Sequence, residues 1–290
     1  MITENDVAIL RTLATFYVLC RMQIQRICFP GHTSGRSTRK RLSKLLRAGL
    51  INKHTTLVPF QNEAAGCPCY YLSSRGAEFL ASYFDDEAFL SVNTRRPRPD
   101  LLFHWLSIGN THITLAEAIA KQEFVKVDAW VNEWEVINKQ DTNERQFVLH
   151  TVLRRSPPLS CSPDAAFLLT VANFSKVFYL EQDRNTSGIR QVAASKSPGY
   201  AELAKRLGHR KHFPQTNVDA FRVLFITSGG KGRRDLVARA IKGKPGAELW
   251  LFAAQEDLTP DSFLFDPVFV DVNESAGPLV NRPESLKEQA

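Results

Sequence analysis

The sequence lacks any long hydrophobic run. No uninterrupted apolar stretch approaches the roughly 18 residues that a membrane-spanning helix needs. The first six residues, MITEND, are polar and acidic, which is not the pattern of a signal peptide. We therefore expect no membrane partner and a cytoplasmic location.

Cysteine is also scarce. The 290 residues contain five cysteines, an odd number without regular spacing, which argues against a disulfide framework and fits a reducing compartment. A zinc site could be assembled only from Cys67 and Cys69 together with Cys20, Cys28 and His32. A single Cys-x-Cys pair is a weak signal, so we expect thiols that are buried or at a loop tip, and no required cofactor.

Acidic residues are missing from one helix-length stretch, and this absence explains the net charge. Residues 1–84 contain 11 Lys and Arg against 4 Asp and Glu, whereas the rest of the chain has equal numbers of each. Nearly all of the excess lies in residues 36–47, RSTRKRLSKLLR, which contain no acid. A charge imbalance confined to one helix is typical of an element that faces phosphate, so we expect double-stranded DNA as a partner and association with the nucleoid.

Hydrophobic periodicity predicts a winged helix-turn-helix in residues 1–84. The expected elements are three helices, two strands and a closing helix, at 3–19, 22–29, 34–48, 50–58, 70–73 and from Ser74. The third helix, capped by Thr33 or Ser34, would enter the major groove, with the polar loop 59–69 as the wing. The predicted DNA-binding residues are Arg36, Ser37, Arg39, Lys40, Lys44 and Arg47. The alternatives are a basic face that only meets solvent and a module that docks proteins.

A linker at 85–100 is expected to separate the winged helix from an α/β domain at 101–272, with a tail at 273–290. Its proline-punctuated part at 93–100 is expected to resist helix. Alternating patterns in this domain predict a mixed central sheet. Helices are expected at 102–121, 189–207 and 234–241, and strands at 125–137, 146–153, 164–171, 176–183, 221–227 and 248–253. The second of these helices is expected to break at Ser197-Pro198.

Two acidic motifs lie at the ends of a predicted hairpin. Asp164 starts one strand and Glu181-Gln182-Asp183 ends the next, so the acids would meet at one edge of the sheet. Two carboxylates placed in this way, Asp164 and Glu181, can hold Mg²⁺, which can activate water and polarise a phosphate. The ordinary alternative makes Asp164 a turn residue and pairs Glu181 and Asp183 with Arg184 or Arg190.

These motifs resemble the PD-(D/E)XK nuclease-like fold, with Pro163-Asp164 and Glu181-x-Asp183 at the motif positions. Asp183 stands where such nucleases carry lysine. The resemblance implies that cleavage would need a lysine from elsewhere, for which Lys196 is the candidate. We expect Mg²⁺ only if the domain cleaves.

A winged helix followed by Pro163-Asp164, Glu181-x-Asp-Arg-Asn-Thr and Lys196-x-x-x-Tyr200 resembles the replication-relaxation family, from about residue 5 to residue 270. The resemblance implies a sequence-specific DNA-binding protein of a plasmid, phage or integrated element, acting in replication, mobilisation or transcriptional control. A replication or mobilisation protein and a second copy in a homodimer are further expected partners.

The nuclease-like domain would then be degenerate. A second hypothesis is a Mg²⁺-dependent endonuclease that uses Asp164, Glu181, Asp183 and Lys196. A third is a protein-interaction adaptor.

Overall fold

The computed structural model describes residues 2–31, 34–55, 67–137, 147–186 and 188–283. The chain forms two compact units, which consist of residues 1–113 and 114–290. The boundary between them lies within one long helix, Leu102–Ile119. In the described ranges, no helix has both the length and the apolar character that crossing a membrane requires.

The first unit packs helices around a small antiparallel sheet. Its helices are α1 (Glu4–Phe16), α2 (Arg21–Cys28), α3 (Arg36–Arg47), α4 (Ser74–Phe84), a 3-10 helix (Glu87–Ser91) and most of α5 (Leu102–Ile119). Its strands are β1 (Val18–Cys20), β2 (Ile51–Lys53) and β3 (Cys69–Leu72), in the order β1-β3-β2. The core of this unit is formed by buried aliphatic side chains from α1, α3, β3 and α4, among them Leu10, Leu13, Leu42, Leu45, Leu72 and Leu80.

The predicted helices of this unit are present, and the differences are local. The first predicted helix, 3–19, is too long, because α1 ends at Phe16 and β1 follows; three residues are too few to show a period of two. The 3-10 helix lies in the predicted linker 85–100, before the part at 93–100 that was predicted to resist helix. Residues 59–66 of the predicted wing lie outside the described residues.

The predicted cap of the third helix is wrong. Helix α3 begins at Arg36, and its N-cap is Gly35 in the left-handed region, with φ of 59°. A Cβ atom at this position would lie 2.5 Å from Oε1 of Gln25 and 2.8 Å from the guanidinium of Arg21. Glycine therefore permits the close approach of α2 to the start of α3.

The buried carboxylate of Asp6 joins α1 to α3. It accepts hydrogen bonds from the backbone N–H and hydroxyl of Thr3 at the start of α1. From α3, Arg41 Nη1 lies 3.0 Å from Oδ1, and Lys44 Nζ lies 2.6 Å from Oδ2. Burial acts to raise the pKa of Asp6, but the hydrogen bonds from Lys44, Thr3 and Arg41 outweigh it and lower that pKa to about 2.

Replacing Asp6 with asparagine should therefore destabilise the first unit. A fall in pKa from 3.8 to about 2 corresponds to a stabilisation on the order of 2 kcal/mol at neutral pH. Because the pKa is lower in the folded state, this contribution is present above about pH 4 and is lost as the pH falls towards 2. Urea unfolding of the full chain at several pH values measures both effects.

Glu4→Gln is the matched control, since Glu4 is an exposed acid in the first turn of the same helix. Equal losses of stability in the two variants at pH 7 would contradict this role of Asp6.

The second unit is built on a mixed sheet of seven strands, which confirms the predicted α/β class. Its strands are β4 (Val125–Asn132), β7 (Ala165–Val171), β8 (Phe174–Asp183), β9 (Phe221–Thr227), β10 (Trp250–Ala254), β11 (Phe269–Val270) and β12 (Ala276–Gly277). Across the sheet these strands lie in the order β12-β11-β10-β9-β8-β7-β4. Strands β8, β9 and β10 are parallel neighbours, whereas the other pairs are antiparallel.

Helices and a separate hairpin complete the second unit. The helices are α6 (Ile189–Lys205), α7 (His209–His212), α8 (Gly230–Ile241) and two 3-10 helices (Ala247–Leu249 and Gln255–Asp257), and the hairpin strands are β5 (Thr151–Arg154) and β6 (Leu159–Cys161). The predicted strands at 125–137 and 146–153 are too long, and residues 138–146 lie outside the described part of the chain. Tight packing of aromatic side chains such as Tyr179, Tyr200 and Trp250 forms the core of this unit.

The predicted break at Pro198 is wrong, because α6 continues through this residue. An interior proline normally costs a helix about 3 kcal/mol, so tertiary contacts must hold this segment. The hydroxyl of Ser197 donates a 2.7 Å hydrogen bond to the carbonyl of Pro245. A Cβ atom at Gly199 would lie 2.9 Å from the carbonyl of Ser160, so the helix packs directly on β6. These contacts outweigh the local preference against helix.

Candidate functional site

Helix α3 separates its buried and exposed side chains. Thr38, Leu42 and Leu45 are buried, at the three- and four-residue spacing of one helical face. The exposed residues include most of the predicted DNA-binding set, Arg36, Ser37, Arg39, Lys40 and Arg47. Within the described part of the chain, none of the four basic side chains in this set forms a salt bridge. We call these four residues, Arg36, Arg39, Lys40 and Arg47, the basic face.

Among the described residues, Lys44 is the one basic member of the predicted DNA-binding set that forms a salt bridge. Its ammonium group is paired with the buried Asp6, as is the guanidinium of Arg41. This pairing could not be predicted from local patterns, because Asp6 lies 35 residues before Arg41. The first unit therefore neutralises two cations of α3 internally and leaves four facing outward.

In the second unit the structure brings Asp164 and Glu181 together, as the predicted hairpin required. Strands β7 and β8 pair in antiparallel register, with Ala165 opposite Leu180. This register places Asp164 beside the end of β8, where its Oδ2 accepts a 2.7 Å hydrogen bond from the backbone N–H of Gln182. The two acidic groups are close enough for the charge of Asp164 to raise the pKa of Glu181.

Glu181 is buried between two side chains from α6. The Tyr200 hydroxyl donates a 2.5 Å hydrogen bond to Oε1, and Lys196 Nζ lies 2.8 Å from Oε2. Lys196 also donates a 3.0 Å hydrogen bond to the carbonyl of Ser162. Burial raises the pKa of Glu181, Lys196 opposes that effect and Asp164 adds to it, which leaves the pKa at about 7.

Lys196 remains charged in this environment. Burial acts to lower the pKa of its ammonium group, but the carboxylates of Glu181 and Asp164 outweigh burial and raise it.

Tyr200 was not predicted as a site residue. Its spacing of four residues from Lys196, which places both on one face of a helix, was the available signal.

Asp183 does not join the other two acids. Arg233 of α8 binds both of its carboxylate oxygens, at 2.6 and 2.8 Å, and the Thr227 hydroxyl donates a further 2.6 Å hydrogen bond. The predicted partners, Arg184 and Arg190, are therefore wrong for Asp183. The true partner lies 50 residues further along the chain, beyond the reach of local sequence reasoning.

A model of the replication-relaxation family matches residues 10–216. The chain belongs to the replication-relaxation family. The matched region includes α3 and the cluster of Asp164, Glu181, Lys196 and Tyr200. Neither the search of curated proteins nor the search of solved structures finds a match.

Glu181 and Asp183 of this replication-relaxation protein fit a divalent cation poorly. Both oxygens of Glu181 are engaged by Tyr200 and Lys196, and both oxygens of Asp183 by Arg233. One oxygen of Asp164 accepts a backbone hydrogen bond. Mg²⁺ in proteins needs carboxylate oxygens that face water and the ion, whereas the oxygens of Glu181 and Asp183 are bonded to protein side chains.

Four of the five cysteines of this family member are buried, which is one of the two predicted environments, and Cys28 is partly exposed. Cys20 and Cys69 lie opposite each other in the pairing of β1 and β3, and Cys67 is also buried. A hydrogen bond with Cys67 and burial both raise the pKa of the Cys20 thiol. Cys28 lies apart from them, against the hydroxyl of Thr12, and His32 lies outside the described residues.

Replacing Lys196 with methionine should raise the pKa of Glu181 above its value of about 7. The nearest cation is removed while burial and the Asp164 charge remain. Carbon-detected NMR titration of the carboxyl groups measures this shift. The variant should also lose more stability at pH 8, where Glu181 must ionise, than at pH 5, where it can hold a proton.

Lys205→Met is the control, because Lys205 is exposed at the end of the same helix. An unchanged Glu181 pKa in Lys196→Met would show that the ion pair does not form in solution.

Proposed function

We propose that this replication-relaxation protein is a sequence-specific DNA-binding protein of a mobile element, acting in replication, mobilisation or transcriptional control. The observation that carries the proposal is the basic face of α3. Its four cations are exposed and have no salt bridge within the described residues, whereas Arg41 and Lys44 are neutralised by Asp6. The family name supports a link to replication.

The order of elements in the first unit supports a winged-helix mode of binding. Helix α3 begins at Arg36, eight residues after α2 ends at Cys28, and β2 and β3 flank the segment predicted to be the wing. In such modules the N-terminal residues of the second helix contact base edges in the major groove. We assign this role to Arg36, Ser37 and Arg39, since arginine can bind guanine edges with two hydrogen bonds. Lys40 and Arg47 would contact phosphates.

Lys44 acts differently in this proposal. Because its ammonium group is held by Asp6, it fixes the position of α3 instead of contacting DNA directly. This assignment revises the prediction that Lys44 binds DNA.

A basic face that only meets solvent is the main alternative. Solvated helix faces usually mix charges of both signs, whereas α3 contains six basic residues and no acid. A pure protein adaptor would not need such a face. DNA binding therefore explains the charge pattern better than either alternative.

In this proposal the second unit has a non-catalytic role. We propose that its nuclease-like site is degenerate, that no cofactor is required, and that this unit contacts a replication or mobilisation protein. The protein would act in the cytoplasm at the nucleoid.

A Mg²⁺-dependent endonuclease remains the second candidate. The convergence of Asp164, Glu181 and Lys196 favours it, because a nuclease site needs two acids and a cation close together. The engaged oxygens of Glu181 and the pairing of Asp183 with Arg233 count against it.

Alanine substitutions on the basic face should weaken binding to a mixed-sequence linear duplex. The loss of the Lys40 contact to phosphate should reduce the slope of log affinity against log salt concentration by about one. We expect the Arg36→Ala, Arg39→Ala and Lys40→Ala triple variant to bind at least about tenfold more weakly at physiological salt. Fluorescence anisotropy over a salt series measures both quantities.

Arg75→Ala is the matched control, since Arg75 is an exposed arginine on α4 of the same unit. Full affinity in the triple variant, with a salt slope equal to that of the control, would overturn the proposal.

A further inference from the structure

An exposed aromatic cluster lies on the first unit, where α4 ends and the following 3-10 helix begins. Tyr83 is 54% exposed, Phe84 39% and Leu90 56%. Of the nine large hydrophobic side chains that are exposed among the described residues, these three occur within eight consecutive positions. With Phe79 and Phe89 they form what we call the aromatic patch.

The rings of the aromatic patch contact one another in a continuous series. The ring centroids of Phe79 and Tyr83 are 5.8 Å apart, those of Tyr83 and Phe84 are 5.0 Å apart, and those of Phe84 and Phe89 are 5.5 Å apart. Contiguous apolar surface of this kind is uncommon on a monomer and usually marks an interaction site.

Charges of both signs border the aromatic patch. Asp85, Asp86 and Glu87 form an exposed acidic run directly after α4. The guanidinium of Arg11 lies 5.7 Å from the ring centroid of Phe84. Among the described residues neither the acidic run nor Arg11 takes part in a salt bridge.

The negative charge of the acidic run limits the kind of partner that can cover the aromatic patch. DNA and anionic membrane surfaces would be repelled by three adjacent carboxylates. A protein surface that offers both a cation and aromatic rings would be attracted. The patch itself is such a surface, because Arg11 lies over the ring of Phe84 and the acidic run follows Phe84 directly in the chain.

We propose that a second copy of this chain covers the aromatic patch in a homodimer. In a two-fold symmetric interface the same surface is used twice, so that residue i contacts residue j and residue j contacts residue i. The aromatic rings of the two copies would pack at the centre. Arg11 of each copy would pair with the acidic run of the other at the rim, where charge complementarity fixes the orientation.

The first test measures the oligomeric state of the full chain by sedimentation velocity over a range of concentrations. The wild type should be a dimer, and Tyr83→Glu and Leu90→Glu should each be a monomer at concentrations where the wild type is not. Phe174→Glu is the control, because Phe174 is 82% exposed in the second unit and should leave the dimer intact. Thermal unfolding checks that the variants remain folded.

A charge exchange keeps the proposal testable if those variants fold poorly. Arg11→Glu should weaken the dimer by about tenfold, and adding Glu87→Arg should restore it. Glu87 is chosen because Asp86 caps the 3-10 helix and Asp85 has a positive φ, so changing either would alter the backbone.

A wild-type protein that is monomeric at every concentration would overturn the proposal. So would a dimer that persists unchanged in Tyr83→Glu and Leu90→Glu. Both results are independent of DNA binding, since no residue of the basic face is altered.

Discussion

The contact between the carboxylate of Asp6 and the two cations of α3 sets the arrangement of the first unit. A buried carboxylate is stable only when its oxygens are bonded, and here Thr3, Arg41 and Lys44 supply the donors. The rotation of α3 about its axis is set by its buried side chains, Thr38, Leu42 and Leu45. Asp6 pairs with Arg41 and Lys44, while Arg36, Arg39, Lys40 and Arg47 remain exposed. The basic face is therefore the part of α3 that neither the core nor Asp6 engages.

A second buried acid organises the candidate site of the other unit. Glu181 is held by Tyr200 and Lys196, which lie one helical turn apart on α6. Helix α6 reaches this position only because it continues through Pro198 and packs Gly199 against β6. The lysine supplies a positive charge beside Glu181 and offsets part of the negative charge of the two acids. Because both oxygens of Glu181 are engaged by protein side chains, we propose that the second unit is a scaffold that has lost cleavage.

Much of this arrangement could be predicted from sequence because the relevant signals are local. Strand β9 has the predicted bounds, and the hairpin of β7 and β8 was expected where it lies, since buried strands are continuous apolar runs. The meeting of Asp164 and Glu181 follows directly from that hairpin. Contacts across long chain separations were beyond such reasoning. The pairing of Asp183 with Arg233 and of Asp6 with Lys44 depends on how distant elements pack, and no periodicity encodes it.

We propose that the chain binds duplex DNA through α3 and does not cut it. Incubating purified wild type, Arg39→Ala and Asp164→Ala with supercoiled plasmid, with and without Mg²⁺ or Mn²⁺, tests both parts of this proposal. We expect retarded but uncut plasmid for the wild type and Asp164→Ala, with weaker retardation for Arg39→Ala. Metal-dependent nicking by the wild type that is lost in Asp164→Ala would contradict it and establish an endonuclease that uses Lys196.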